Sequence, residues 1–406
     1  MRILVLSTTG QPEANLESAR YFMDNNSHIE KITIISTDYM DKEGKTELLK
    51  KSLSSITQAE IEILNIPNGY EESNMFAIQE LILNWANSHS LKDTFMFNVT
   101  GGTKMMSIAL DRAAILLGTK RAECFYQSRD HHIIWYQRQS HKIAFPINSN
   151  LGLQQRVLAR GYQITKQQPI QEVEIIDLKY AEILINVMHD DFAKGRKFIS
   201  FMNKLACIAE ENNKLTAQHT SMETETIEAI SILANITQDH FFSFNNDTKT
   251  IAFKNKDTLA YVKGGWLEVY AGYECFKALI ALNPQAELAL NVELKKNHTP
   301  NEMDVMFIHH ANLYCIECKT AKTMAEDKAQ DVLYKLSALQ DFGGLNQKRA
   351  VVSLYSLKDY NLTRAHNSDI KIFQEKELLN LSEHILKWLQ PSQDKPVELI
   401  HLLSIM

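Results

Sequence analysis

No run of about eighteen apolar residues occurs anywhere in the 406-residue chain, so no membrane-spanning helix is expected. The opening Met1-Arg2-Ile3-Leu4-Val5-Leu6-Ser7 is too short for the apolar core of a secretion signal and reads as a buried strand, so the expected location is the cytoplasm. Cysteine is scarce: Cys124, Cys207, Cys275, Cys315 and Cys318 are scattered and odd in number, which argues against a disulfide framework. Cys315-x-x-Cys318 has a zinc-like spacing, but positions three apart on a strand face opposite sides and no second ligand pair follows. Positive charge is not in surplus either. Lys and Arg number 43 against 49 Asp and Glu, a net charge of −6, which argues against tight, constitutive nucleic-acid binding by the chain as a whole. Any such contact must rest on a local patch or be switched on. Internal repeats and low-complexity stretches are also missing, and a hydrophobic content of 45% suits two or three domains, each with its own core.

Short β-rich apolar runs at 2–7, 31–36, 60–66 and 94–99 alternate with amphipathic segments near 13–25, 42–57, 73–88 and 103–117. That alternation predicts an α/β domain over 1–146, a Rossmann-like parallel sheet with helices on both faces, extended by strands at 121–126 and 133–137. A dinucleotide fingerprint is absent, because Ser7-Thr8-Thr9-Gly10-Gln11-Pro12 lacks the G-x-G-x-x-G turn. The glycine-rich turn comes instead after the fourth strand, as Asn98-Val99-Thr100-Gly101-Gly102-Thr103-Lys104-Met105-Met106. Its glycines allow close backbone approach and the following helix offers free N–H groups to an anion. Thr100 and Thr103 add hydroxyls and Lys104 adds charge. Alone, these residues fit an anion site and a purely geometric turn equally well.

Residues 147–257 read as a connector, with helical patterns at 150–161, 177–190, 196–212 and 222–235 and a small hairpin at 241–244 and 250–253. Helices followed by a hairpin suggest a winged-helix-like module, but no basic recognition helix is evident, which favours a structural role. A third unit spans 258–390. Gly264-Gly265-Trp266 opens a helix, followed by strands at 286–295, 302–308 and 313–319, a helix at 326–340, a strand at 348–354 and a helix at 375–389. This is a compact α/β/α core, and 391–406 form a tail.

The chemistry concentrates in that core. A hairpin centred between His310 and Ala311 sets Asp304 opposite Glu317, with Lys319 two residues further along the same face. Two carboxylates and an ammonium on one half-buried patch are costly unless a dication sits between the acids. Hydrolytic phosphodiesterases hold Mg²⁺ or Mn²⁺ in this way. Lys295, Lys296, Lys322, Lys328, Lys335, Lys348 and Arg349 make a local nucleic-acid groove plausible despite the acidic whole.

Asp304 on one strand and Glu317-Cys318-Lys319 on the next resemble the PD-(D/E)xK nuclease superfamily, whose helix–strand–strand–strand–helix–strand order also matches. The resemblance implies that Asp304, Glu317 and the carbonyl of Cys318 ligate Mn²⁺ or Mg²⁺, and that Lys319 positions or helps deprotonate the attacking water. It also implies that Glu268 on the preceding helix is the extra acid. Glu302, two residues before Asp304 and on the same strand face, is a candidate auxiliary ligand. Lys322 and Lys335 would contact the nucleic-acid backbone. The pairing of this domain with Asn98-Val99-Thr100-Gly101-Gly102-Thr103-Lys104-Met105-Met106 resembles the CARF-domain effectors of type III CRISPR defence, and more narrowly the metal-dependent CARF nucleases named Can or Card. Further matches are Ile34-Ile35-Ser36-Thr37, Phe125-Tyr126-Gln127 and Gly264-Gly265-Trp266-Leu267-Glu268, so the likeness spans most of 1–390. It implies a cytoplasmic homodimer that binds a cyclic oligoadenylate, the tetra-adenylate, through Thr9, Gly10, Gln11, Asn98, Thr100, Gly101, Gly102, Thr103, Lys104 and Met105. The implied activity is endonucleolytic cleavage of DNA or RNA with little sequence preference. A different class of function, a ligand-responsive DNA-binding regulator with an inactive nuclease fold, is the alternative.

Overall fold

The computed structural model describes residues 1–390 apart from 26, 68, 70–73, 130, 136–143, 148–150, 220, 221, 285, 298, 326, 327, 345 and 346. The 391–406 tail and the end of the expected 133–137 strand therefore lie outside the described residues.

The first sheet contains β1 (Arg2–Ser7), β2 (Lys31–Thr37), β3 (Glu60–Ile66), β4 (Thr94–Asn98), β5 (Ala122–Gln127), β6 (His132–Ile134) and β7 (Ala144–Pro146) in the order 3-2-1-4-5-6-7. Its first five strands are parallel, and β6 and β7 turn back antiparallel. Strand alternation sorts the core onto two faces: Leu4 and Leu6 join one apolar cluster, Ile3 and Val5 the other. Strand order reverses between β1 and β4. In open α/β sheets, ligands bind in the crevice beyond the strand C-termini at such a switch point. Those ends are Ser7–Gln11 and Asn98–Lys104.

The middle of the chain departs from a simple connector. β8 (Gln163–Pro169) pairs antiparallel with a strand of the C-terminal sheet, so part of 147–257 is built into the nuclease core. The remainder holds the helices Ile175–Asp190, Phe192–Glu211 and Thr224–Ile236 with a three-stranded sheet of β9 (Thr216–Gln218), β10 (Phe242–Asn245) and β11 (Thr250–Phe253). The expected hairpin is present, with Phe242 paired to Phe253. The Thr224–Ile236 helix carries Glu225 and Glu228 and no Lys or Arg, which does not suit it to reading DNA.

The C-terminal sheet comprises β12 (Leu288–Lys296), β13 (Thr299–His309), β14 (Asn312–Lys319), β15 (Gln347–Ser353) and β16 (Ile370–Gln374) with β8 at one edge, in the order 16-15-14-13-12-8. The Trp266–Ile280 helix covers one face through Trp266, Leu267, Ala271 and Cys275. The Lys328–Ala338 helix covers the other through Ala329, Leu333 and Leu336. The glycines at 264 and 265 do not start the first of these helices. They end a π-helical turn, Tyr261–Gly265, that continues from an α-helix beginning at Lys256.

Candidate functional site

β13 and β14 pair from His309↔Asn312 to Val305↔Ile316, the register that a turn between His310 and Ala311 requires. The ladder stops one step short of Asp304 and Glu317. The expected direct pairing of those two residues is replaced by a side-chain contact: the Cys318 N–H donates to Asp304 Oδ2 at 2.6 Å. Two acids facing each other would repel, and an N–H donor relieves one of them. Asp304 and Glu317 are both buried, and Lys319 is partly so.

Lys319 reads out the geometry of the patch. Its Nζ lies 2.7 Å from Glu317 Oε1, 2.9 Å from the Cys318 carbonyl and 3.7 Å from Asp304 Oδ2. One cation thus touches the same three oxygen donors that the sequence nominates for a metal. Lys335, expected to face nucleic acid, instead donates to both oxygens of Glu317 at 3.0 Å, while Lys322 is exposed at the start of a short 3-10 turn. Glu302 is exposed on the strand that carries Asp304.

The acids feel their confinement. Burial, with the charge of Asp304 next, pushes the Glu268 carboxyl up to about 8. Burial and Glu317 push Asp304 up to about 6. Burial works against the Lys319 ammonium, yet Asp304 and Glu317 outweigh it and raise its pKa. The π-helical turn anchors the helix of Glu268 beside this patch, because the Thr320 hydroxyl donates to the Lys263 carbonyl at 3.3 Å. Single-turn π-bulges are frequent at functional sites, but nothing in the local sequence announces this one.

Among the described residues, no three His, Cys, Asp or Glu side chains converge as a ready-made metal cage. The available donors are two carboxylates and one backbone carbonyl. That hard, all-oxygen set is what Mg²⁺ or Mn²⁺ takes, and the ammonium already held there shows that the spot favours a cation.

The sensor end has a second constellation. Gly102 has φ +80°, and a Cβ there would lie 3.1 Å from the Ser7 Cβ, so the turn rests directly on the end of β1. Thr103 caps the Lys104–Leu117 helix by accepting the Met106 N–H. Lys104 and Met105 are exposed at its first turn, and Gly10 and Gln11 are exposed across the crevice. The Thr9 hydroxyl accepts the Gln11 N–H. Other expected contacts are already engaged. Asn98 is fully buried, donates to Asn15 and Ser18 and accepts the Thr100 N–H, so it braces the crevice from beneath and does not face a ligand. The Thr100 hydroxyl accepts the Gln127 N–H at 2.7 Å, and Gly101 packs on the Ser7 carbonyl. Conversely, the buried Ser7 and Thr8 hydroxyls have no hydrogen-bond partner among the described residues. A Ser-Thr pair ending a strand carries no signal in the sequence until the glycine turn is set against it. A cavity of about 290 Å³ lined by Arg2, Thr94 and Ala122 opens at the opposite ends of the same strands, away from this crevice.

A Rossmann-type sensor joined to a restriction-endonuclease-like nuclease is the class that this fold and these two constellations define. Comparison with known proteins narrows it. Residues 3–155 match the Card1 CARF domain family and residues 255–391 the Card1-like endonuclease domain family. The chain belongs to the Card1-like CARF nucleases and is an endonuclease. Among solved structures it is similar to protein VC1899 from Vibrio cholerae, with a TM-score of 0.80 and 18% identity over 96% of this chain and 98% of that one. It is also similar to Can2 from Sulfobacillus thermosulfidooxidans, solved with cyclic tetra-adenylate, with a TM-score of 0.73 and 17% identity over 96% and 100%. A type III CRISPR defence DNA nuclease activated by cyclic oligoadenylate aligns with a TM-score of 0.52 and 13% identity, over 99% of this chain and 51% of its own. At these identities the likenesses establish the fold. A search of curated proteins finds no match.

Proposed function

We propose that this protein is a homodimeric endonuclease of type III CRISPR defence, switched on by cyclic tetra-adenylate and cutting DNA or RNA with little sequence preference. The observation that carries the catalytic half is the Lys319 ammonium held by Glu317, Asp304 and the Cys318 carbonyl. Asp304, Glu317 and that carbonyl would hold Mn²⁺ or Mg²⁺, which when bound supplies charge for the phosphorane-like transition state and acidifies a water. Lys319 then orients the water and stabilises charge growing on phosphorus, while Glu268 can take up or return a proton beside it. Ser7, Thr8, the 100–104 turn and the 9–11 loop offer hydroxyls, N–H groups and one cation to a phosphate ring.

A twofold-symmetric ring suits two sensors about a C2 axis, each presenting the same residues. Support comes from the helix that follows the glycine turn. Met105, Ile108, Ile115 and Leu116 leave it as an exposed apolar stripe beside exposed Phe76, a face that a second copy would cover. The acidic net charge fits an enzyme that is weak at rest. Similarity to Can2 supports the choice of ring, and the endonuclease family match disfavours an inactive regulator. The test is incubation with cyclic oligoadenylates of different sizes, with and without Mn²⁺, against labelled DNA and RNA. Cleavage requiring both the four-membered ring and the metal is expected, and metal-independent or ring-indifferent cutting would contradict the reading.

A pH dependence follows. Asp304 and Glu268 have native pKa values raised above their unfolded ones, so the folded protein binds more protons than the unfolded chain. These groups therefore favour the fold at low pH, and that contribution is lost as pH rises through about 6 for Asp304 and about 8 for Glu268. A cation competes with the same protons, so Mn²⁺ affinity should climb between pH 6 and 8 by up to about tenfold per unit for each proton displaced. Glu268→Gln, isosteric with the protonated acid, should flatten the upper part of that climb in a Mn²⁺ titration followed by electron paramagnetic resonance. A wild-type affinity that stays constant over this range would rule out proton displacement.

A further inference from the structure

Arg160 lies just past the Leu153–Leu158 helix, where the chain leaves the sensor and enters β8 of the nuclease sheet three residues later. Its guanidinium reaches back to the β1 loop. It donates to the Gly10 carbonyl at 3.1 Å and to Glu13 Oε2 at 2.9 Å, and further donates to Glu13 Oε1 and Gln11 Oε1. All its nitrogens are thereby committed to the loop that forms one wall of the sensor crevice. The third party is on the nuclease. Gly344 has φ +70°, and a Cβ there would collide with the Arg160 guanidinium and come 2.8 Å from Glu13 Oε1. Gly344 lies six residues past the Lys328–Ala338 helix, and that helix carries Lys335, whose ammonium grips both oxygens of Glu317.

We propose that Arg160, clamped between the Gly10–Glu13 loop and the backbone of Gly344, is the positioning residue that couples the sensor crevice to the Lys335–Glu317 pair of the nuclease. A single fork holds the loop while the nuclease backbone rests on that fork. A ligand bound in the crevice that shifts the Gly10–Glu13 segment carries the fork with it, and any shift of the fork is felt at Gly344. Packed elements respond to such shifts by switching between discrete arrangements. The coupling rests on the proposed sensor function, whereas the clamp itself is independent of it.

The test follows amide hydrogen exchange over 8–17, 98–107 and 328–344, together with Mn²⁺-dependent cleavage, with and without cyclic tetra-adenylate, in wild type, Arg160→Gln and Glu13→Gln. In wild type the ligand should alter exchange in all three segments. In Arg160→Gln the response at 98–107 persists, that at 328–344 disappears, and ligand stimulation of cleavage falls by about 5- to 150-fold, the usual span of allosteric coupling, with basal cutting retained. Glu13→Gln, which keeps the guanidinium, should show the same pattern more weakly and guards against misfolding of the first variant. A wild-type-like response at 328–344 in Arg160→Gln overturns the proposal. Should wild type show no response at 98–107, the sensor reading fails instead. The clamp is then judged without ligand: Arg160→Gln must loosen both 8–17 and 328–344, and unchanged exchange in either overturns it.

Discussion

Glu317→Ala is expected to lower cleavage by on the order of 10³-fold or more, because it removes a charged oxygen donor from the place where a cation and developing negative charge would meet. The same change should also weaken the fold. Glu317 is the anionic partner of two ammoniums, Lys319 at 2.7 Å and Lys335 at 3.0 Å, and both would be left facing each other without it. Breaking a buried pair costs about 3–5 kcal/mol, and the partial exposure of both lysines brings this nearer 2. Asp304→Asn makes the informative contrast. It should abolish activity as thoroughly, yet an amide oxygen can still accept the Cys318 N–H, and the like charge that presses on Glu317 is gone. Its thermal stability should match or exceed that of wild type. Cleavage assays and calorimetry on the two variants would separate catalytic loss from structural loss. Strong residual cutting in Glu317→Ala would remove the catalytic assignment.

This contrast marks how far the sequence could be read. The turn between His310 and Ala311, the shared patch of Asp304, Glu317 and Lys319, and the Rossmann-like first sheet follow from period-two alternation and from carboxylates interrupting apolar runs. Local pattern says less about who pays the electrostatic cost of that patch. Lys335 lies eighteen residues from Glu317 along the chain, and only tertiary packing shows it clamped on that carboxylate. β8 is illegible in the sequence for a related reason. Gln163-Ile164-Thr165-Lys166-Gln167-Gln168-Pro169 is an edge strand, and edge strands are polar by design, so hydrophobic periodicity has nothing to register. β16 is only five residues long. Asn98 illustrates the opposite error. An amide beside a glycine turn looks ligand-facing, but at the end of a central parallel strand its side chain is swallowed by the first helix and hydrogen-bonds to Asn15 and Ser18.

Gly102→Val should have the largest effect at the sensor end, greater than removal of the exposed charge in Lys104→Ala. A left-handed backbone costs a non-glycine residue about 1–2 kcal/mol, and a branched side chain fares worse. Here the new Cβ also meets the Ser7 Cβ at 3.1 Å and the Met106 thioether at 3.2 Å, an overpacking worth about 1–3 kcal/mol more. Gly102 is itself exposed, so the turn can yield outward without unfolding the sheet. Yielding displaces the Thr103 cap and tilts the first N–H groups of the Lys104–Leu117 helix away from Ser7 and Thr8. Affinity for cyclic tetra-adenylate should therefore drop on the order of 100-fold, which the combined cost of about 2–5 kcal/mol comfortably spans. Loss of one surface cation in Lys104→Ala should cost no more than about tenfold and should fade at high salt. Isothermal titration of both variants at two salt concentrations distinguishes geometry from charge. Wild-type affinity in Gly102→Val would exclude the turn from the ligand site, whatever the nuclease does.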